Sequence, residues 1–179
     1  MEETQTVSRR RARRPAPATP PVPHETTPEG WTAQYQRMDR AYGRFSMETL
    51  NGDAYVDAVR AFFIQAWALV DWIANDPAAV PAIVKDRATL EAAVFQHDAL
   101  VRGRDVANGA KHRVLTKPHA GGREDGRVLN ISFDRPHETW VMYRFAQGDP
   151  EEGLALARRM VAAWDTLLPT LGLDPNAWR

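Results

Sequence analysis

"DRATLEAAVFQHDALV" (residues 86–101) runs directly into "RGRDVANGAKHRVL" (102–115), and the reading of this pair decides the fold. At about 100° per residue, Leu90, Val94 and Val101 lie within about 40° of one another, so the first half keeps one apolar helical face. Continued on the same wheel, that face turns polar. Asn108 falls on the line of Leu90, while His97, Arg104, Asp105 and His112 fall within about 60° of it and Lys111 marks the other edge. Read as one helix starting near Asp86, the segment offers an apolar half and a polar half to the same neighbours. Gly109 weakens it locally by about 1 kcal/mol relative to Ala. Burying unpaired polar groups costs about 1–3 kcal/mol each. The polar half therefore has three outlets. Its groups pair with one another and with Asp71 or Asp57, they line a wet pocket, or they meet a ligand or a second subunit.

Upstream, "TPEGWTAQYQRMDRAYGRF" (27–45) predicts a first helix, with Thr27 as cap and Pro28 at its first position. Trp31, Tyr35, Met38, Tyr42 and Phe45 share one face. "NGDAYVDAVRAFFIQAWALVDWIANDP" (51–77) predicts a second helix, capped by Asn51 or Asp53 and stopped at Asn75-Asp76-Pro77. Val56, Val59, Phe63, Ala66, Val70 and Ile73 form its stripe, widened by Phe62 and Leu69. Asp53, Arg60, Trp67 and Asp71 edge that stripe, and Trp72 points nearly opposite, either exposed or covered by another element or subunit.

Downstream, "RVLTKPHAGGREDG" (113–126) is a Gly-rich connection. "RVLNISFDRPHETWVMYRF" (127–145) then alternates, with Leu129, Ile131 and Phe133 on one face and Val141, Tyr143 and Phe145 on another, which predicts a β-hairpin near 127–146. "RVLT" (113–116) is a candidate short third strand. "GDPEEGLALARRMVAAWDTLLPTLGLDP" (148–175) predicts the last helix, started by Asp149, Pro150, Glu151 and Glu152 and ended by Pro169 and Gly172. Its stripe is Leu154, Ala157, Val161, Trp164 and Leu168. The expected fold is mainly α: a four-helix-type bundle over 28–179, with one hairpin between the third and last helices.

Composition narrows the function. Lys+Arg and Asp+Glu balance at 23 each, so no global field attracts polyanions, and the chain has no cysteine. That excludes disulfides, thiolate nucleophiles and Cys-based metal sites. No apolar run is long enough to span a bilayer, and the Arg cluster near the start has no apolar stretch behind it, so neither a membrane span nor a secretory signal is expected. A cytosolic setting fits. Residues 1–27 hold five Arg within six positions, followed by alternating Pro. They are expected to form a disordered tail. Arg9, Arg10, Arg11, Arg13 and Arg14 either contact acidic surfaces or form a solvated leader.

In the polar half, Arg104 and Lys111 are candidate anion donors, with Asn108 to orient the bound group. His112 is a candidate acid or base steered by Asp105, with Asp71 in support. Asp105 and His112 lie about 10 Å apart along a helix, too far to touch directly. A polar network that only fixes helix register uses the same groups. His97 reads as a core-edge residue, and His119 and His137 as solvated loop residues. No His pair has metal-ligand spacing, and no phosphate loop or nucleophile elbow is present, so no metal or cofactor is expected.

Two segments together, "FFIQAWALVDWIANDP" (62–77) and "GRDVANGAKHRVL" (103–115), resemble a group of uncharacterised bacterial helical proteins. In these an aromatic "W…DWI…D" helix precedes a "D-[LIV]-A-N-x-x-K-H" segment. The arrangement is also similar to the HEPN superfamily of small α-bundles, many of them dimeric ribonucleases with Arg and His on a late helix. Arg104 and His112 carry that likeness, at a wider spacing, and Asp105 matches the polar residue after the Arg. The resemblance implies a homodimer acting on RNA or a nucleotide, with Arg104 steadying phosphate and His112 assisting attack by a 2′-hydroxyl.

Overall fold

The computed structural model describes residues 29–47, 50, 52–79, 86–111, 123–129, 139–145 and 149–176. Its elements are α1 (Trp31–Met47), α2 (Gly52–Asn75), α3 (Arg87–Val94), α4 (Asp98–Lys111), β1 (Arg123–Leu129), β2 (Thr139–Arg144), β3 (Glu151–Glu152) and α5 (Gly153–Thr170). The protein is mainly helical, with an antiparallel hairpin before the last helix. The tail 1–27, His112, the stretch 113–116, and His119, Ile131, Phe133 and His137 lie outside the described residues.

The central element is α2. Every residue of its expected stripe is buried, and Trp67 joins them. Against it α1 sets Trp31, Met38 and Phe45, all buried, with Tyr35 and Tyr42 at the margin. Aromatic rings then continue across the molecule. Tyr42 meets Phe45 and Phe62, Phe62 meets Phe63, and Phe63 meets Tyr143 of β2 edge-on at 5.6 Å. Such pairs add about 0.5–1.5 kcal/mol each beyond the area they bury. Val141, Tyr143 and Phe145 face this core from the hairpin, and all three are buried.

The start of α1 departs from expectation. Gly30, not Thr27, stands at the cap position, with its carbonyl accepting from the N–H groups of Ala33 and Gln34. The Trp31 N–H donates to Asp76 Oδ2 at 2.8 Å. An orphan donor of the helix terminus is thus satisfied by a carboxylate 45 residues away. A Cβ at Gly30 would approach Asp76 Oδ2 to 2.5 Å, so glycine leaves room for the tether. Gln34 is also buried, donating to the Gln65 carbonyl at 2.8 Å and to Gln65 Oε1 at 2.9 Å, which satisfies a polar group inside the α1–α2 seam.

The third helix is two helices. The helix starts beside Asp86 as expected, and the Asp86 carboxylate caps α3, accepting from the Ala88 and Thr89 N–H groups. The helix ends at Val94. Gln96 and His97 then bond back three residues, to the carbonyls of Ala93 and Val94, and α4 restarts at Asp98. Three-residue bonding is a tighter turn that breaks the helical phase. A wheel continued from Leu90 to Asn108 therefore does not apply. The inward face of α4 is set afresh by Ala99, Leu100, Gly103, Val106 and Ala107.

The hairpin also differs. Its first strand begins at Arg123, inside the stretch read as a Gly-rich turn, and its register shifts between Glu124 and Arg127. The third strand is Glu151–Glu152, pairing with Met142 and Tyr143. These acids read as the first turn of the last helix, yet they extend the sheet instead, and α5 begins at Gly153. A Cβ there would meet Val59, Tyr143 and the Val141 carbonyl at 3.1–3.3 Å, so glycine allows the sheet-to-helix corner. The other end closes at Gly172 as expected, although the helix runs past Pro169 to Thr170. Gly172 has φ 73°, the Leu173 N–H reaches the Leu168 carbonyl at 2.9 Å, and the Gly172 N–H reaches that of Pro169, a Schellman cap.

Candidate functional site

Helix α4 carries the residues that the sequence singles out, and the structure sorts them by depth. Asp105 is 1% exposed and engaged within the fold. Arg104 and Asn108 are half-buried, and Lys111 is exposed. Arg104, Asn108 and Lys111 follow steps of four and three, so they share one edge of the helix over about 10 Å. His112 is the next residue along the chain and lies outside the described residues. Asp71 is not gathered into this group. Its carboxylate receives Arg87 of α3 at 2.7 Å.

The setting of Arg104 is unusual for a cation. Its guanidinium lies 5.4 Å from the Trp67 ring and 5.4 Å from the Phe95 ring, one from α2 and one from the turn that ends α3. Each such contact contributes about 0.5–2 kcal/mol, depending on desolvation. Nη1 is buried without a hydrogen-bond partner, and no carboxylate among the described residues pairs with the group. The rings fix the plane of the fork and leave Nη1 unspent. Trp67 was visible in the sequence as an edge residue. Phe95 was not singled out, because its role depends on the break after Val94.

Two residues away, on the opposite side of the helix, the arrangement is reversed. Arg102 lies over the Phe145 ring at 4.6 Å, but its Nε also meets Asp98 at 3.0 Å and its Nη1 meets Glu151 at 3.5 Å. Arg159 of α5 completes a ring of four charges, reaching Glu151 at 2.7 Å and Asp98 at 2.6 Å. Burial pushes the Asp98 carboxyl up, but the bonds from Arg159 and Arg102 together outweigh it and hold the group below its usual range. Bonds from Glu151 and then Asp98 raise Arg159 further. This ring locks α4, β3 and α5 together. It was not anticipated, since its members come from three elements up to 61 residues apart.

Two clefts lie away from α4. One of about 740 Å³ is bounded by Trp31, Trp72, Asp76 and Pro77, and the other, of about 670 Å³, lies between α1 and α2. Trp72 is half-buried there, covered by the Arg37 guanidinium at 5.0 Å rather than exposed. His97 is half-buried in the turn before α4. Among the described residues no group of three or more His, Asp or Glu is placed to hold a metal ion, and no helix is long and apolar enough to cross a membrane. No family model, no curated protein and no solved structure matches this chain.

Proposed function

We propose that the protein is a ligand-binding helical domain that takes a phosphate-type anion along the edge of α4. In this reading Arg104 is the principal donor, Asn108 orients the bound group and Lys111 supplies the outer charge. One observation carries it: the Arg104 guanidinium is held between Trp67 and Phe95 with a buried N–H left unbonded. A guanidinium needed only for structure gains from a carboxylate partner, as Arg102 does. One clamped by rings and left with an unbonded Nη1 is preorganised for recognition of an oxyanion.

The test is a thermal-shift and calorimetric titration of the full chain with inorganic phosphate and with a nucleoside monophosphate. Either anion is expected to raise the melting temperature in a concentration-dependent way. Arg104→Met abolishes that shift, and Lys111→Ala weakens it. Equal shifts in the parent and Arg104→Met would remove the reading. The ribonuclease implied by the resemblance rests further on His112. RNA cleavage abolished by His112→Ala would extend the site from binding to catalysis, with Asp105 as a buried support. Self-association through the same edge predicts a concentration-dependent mass that Lys111→Glu reduces.

A further inference from the structure

We infer that Asn108 and Gly109 form a self-modifying site: the asparagine loses its amide nitrogen to become aspartate or isoaspartate, and the change switches off anion binding along α4. The consequence for binding rests on the phosphate-type reading of that edge; the chemistry itself does not. The chain holds two Asn-Gly pairs, at 51–52 and 108–109. The second stands between Arg104 and Lys111, on the edge that they share. Glycine after asparagine matters because the reacting atom is the peptide nitrogen that follows. With no Cβ on Gly109, nothing on that residue shields the nitrogen or limits its rotation. Gly109 is exposed, so water and hydroxide reach it, and Asn108 is half-buried with no hydrogen bond to its side-chain amide among the described residues.

The step balances with water as the only co-reactant. Hydroxide takes the proton from the Gly109 nitrogen, which attacks Asn108 Cγ. The N–Cγ bond forms, the Cγ–Nδ2 bond breaks, and Nδ2 leaves as ammonia after gaining a proton from water. Water then opens the five-membered imide at either carbonyl, which leaves a carboxyl on the side chain or on the main chain. One water is consumed, one ammonia is released and no electrons are transferred. A regular helix holds the Gly109 nitrogen away from Cγ, so the rate follows how often the last turn opens. That turn is 108–111, since α4 ends at Lys111. Its carbonyls have no partners within the helix, its glycine weakens it, and helix ends open at little cost. The product then changes the edge. Before reaction two cations flank a neutral amide; afterwards they flank a carboxylate one turn from each. The new charge repels an oxyanion and competes for the donors of Arg104 and Lys111. It also sits at a helix C-terminus, where the macrodipole opposes it. Isoaspartate adds a main-chain carbon that breaks the helical hydrogen-bond spacing, so the last turn loosens with Lys111 on it.

The experiment ages the purified full chain in mildly alkaline, phosphate-free buffer and follows the tryptic peptide Asp105–Lys111, in which Asn108 is the only amide side chain. Mass reports the change from amide to carboxyl, and chromatography separates aspartate from isoaspartate. A sample digested at the start corrects for reaction during digestion. Progressive conversion is expected, slower in the folded chain than in guanidinium chloride. Gly109→Ala is expected to suppress it and to keep the phosphate-induced thermal shift. Asn108→Asp reproduces one product directly, and its affinity for inorganic phosphate should fall about tenfold, the scale of one unit charge about 6 Å away in a half-exposed site. Conversion in guanidinium chloride with none above the starting sample in the folded chain overturns the inference, because the helix then protects the pair. Conversion that leaves phosphate affinity unchanged, or an Asn108→Asp variant that binds as tightly as the parent, overturns the switch. A fresh, unconverted parent that binds no phosphate removes the anion reading and the switch with it, while the peptide masses still decide the modification.

Discussion

Arg102 and Arg104 stand two residues apart on α4, and both rest on aromatic rings, yet they have opposite surroundings. Arg102 is closed into a ring with Asp98, Glu151 and Arg159. Arg104 has two rings, a buried unbonded N–H and no carboxylate partner among the described residues. Two residues rotate a side chain by about 200° on a helix, so the pair faces two different worlds. One looks toward β3 and α5, where acids wait. The other looks toward α2 and the end of α3, where the aromatic faces of Trp67 and Phe95 wait. A satisfied cation holds a fold together, and an unsatisfied one next to it is available for something else. That contrast is what supports the proposal that the α4 edge is a binding surface.

The sharpest way to break the contrast is to open the ring. In Glu151→Ala, Arg102 and Arg159 both lose a carboxylate whose side chain is 15% exposed, while Arg102 itself is 17% exposed. Removing one partner of a largely buried pair leaves an uncompensated charge, discounted here for partial solvation, so a loss of about 2 kcal/mol is expected. Urea denaturation measures it. A loss under about 0.5 kcal/mol, the usual scale of a surface pair, would mean that the ring is decoration and that the two arginines do not differ in kind.

Gly103, between the two arginines, sharpens the comparison. A Cβ there would run into the side chain of Met160, reaching Cε at 2.8 Å, in the α4–α5 contact. Overpacking of a filled core costs about 1–3 kcal/mol, against about 1 kcal/mol gained by replacing glycine in a helix. Gly103→Ala is therefore expected to destabilise by about 1 kcal/mol in the same denaturation assay. It should spread α4 from α5, loosening Arg102 while leaving Arg104 on Trp67. Phosphate binding that survives in this variant supports the division of labour.

Acid separates the two regions in another way. The Asp98 carboxyl is held below its usual range in the fold. A depressed carboxylate contributes stability that is fully present above its unfolded value, near 3.9, and is lost as pH falls through the lower folded value. The ring should thus loosen only in strong acid, and the effect is small because Asp98 is more than half exposed. Comparing the pH dependence of stability in the parent and in Asp98→Asn isolates it. The variant should show a shallower loss below about pH 4. The Arg104 stack carries no carboxylate among the described residues and predicts no such dependence.

How much of this was legible in the sequence follows from the range of each interaction. The buried stripe of α2 and the inward face of Val141, Tyr143 and Phe145 were readable, because periodicity reports which side of an element is apolar. The break after Val94 was not, since Phe95-Gln96-His97 contains no Gly or Pro and the apolar spacing runs on as though unbroken. Glu151 and Glu152 read as helix-starting acids because propensity does not know that Met142 and Tyr143 offer a free sheet edge. The tether from Asp76 to Trp31, the rings around Arg104 and the four-charge ring all join distant segments, so no local window contains them. Of the candidate site, Arg104, Asn108 and Lys111 were named from their helical spacing and do share an edge. Asp71 was drawn in by a wheel that assumed an unbroken helix, and Arg87 holds it elsewhere.

The smallest expected effect is the most informative. Arg104→Met keeps an unbranched apolar stem between Trp67 and Phe95 and removes a buried donor that nothing among the described residues satisfies. The lost cation–π attraction and the relieved desolvation act in opposite directions, each on the order of 1 kcal/mol, so the stability of the unliganded protein should change by less than about 1 kcal/mol. In phosphate buffer the parent should gain stability that the variant does not, and the two denaturation curves should part as phosphate rises. If Arg104→Met instead costs as much as Glu151→Ala in the absence of any anion, Arg104 is a structural cation like its neighbour. The contrast on which the binding surface rests then disappears.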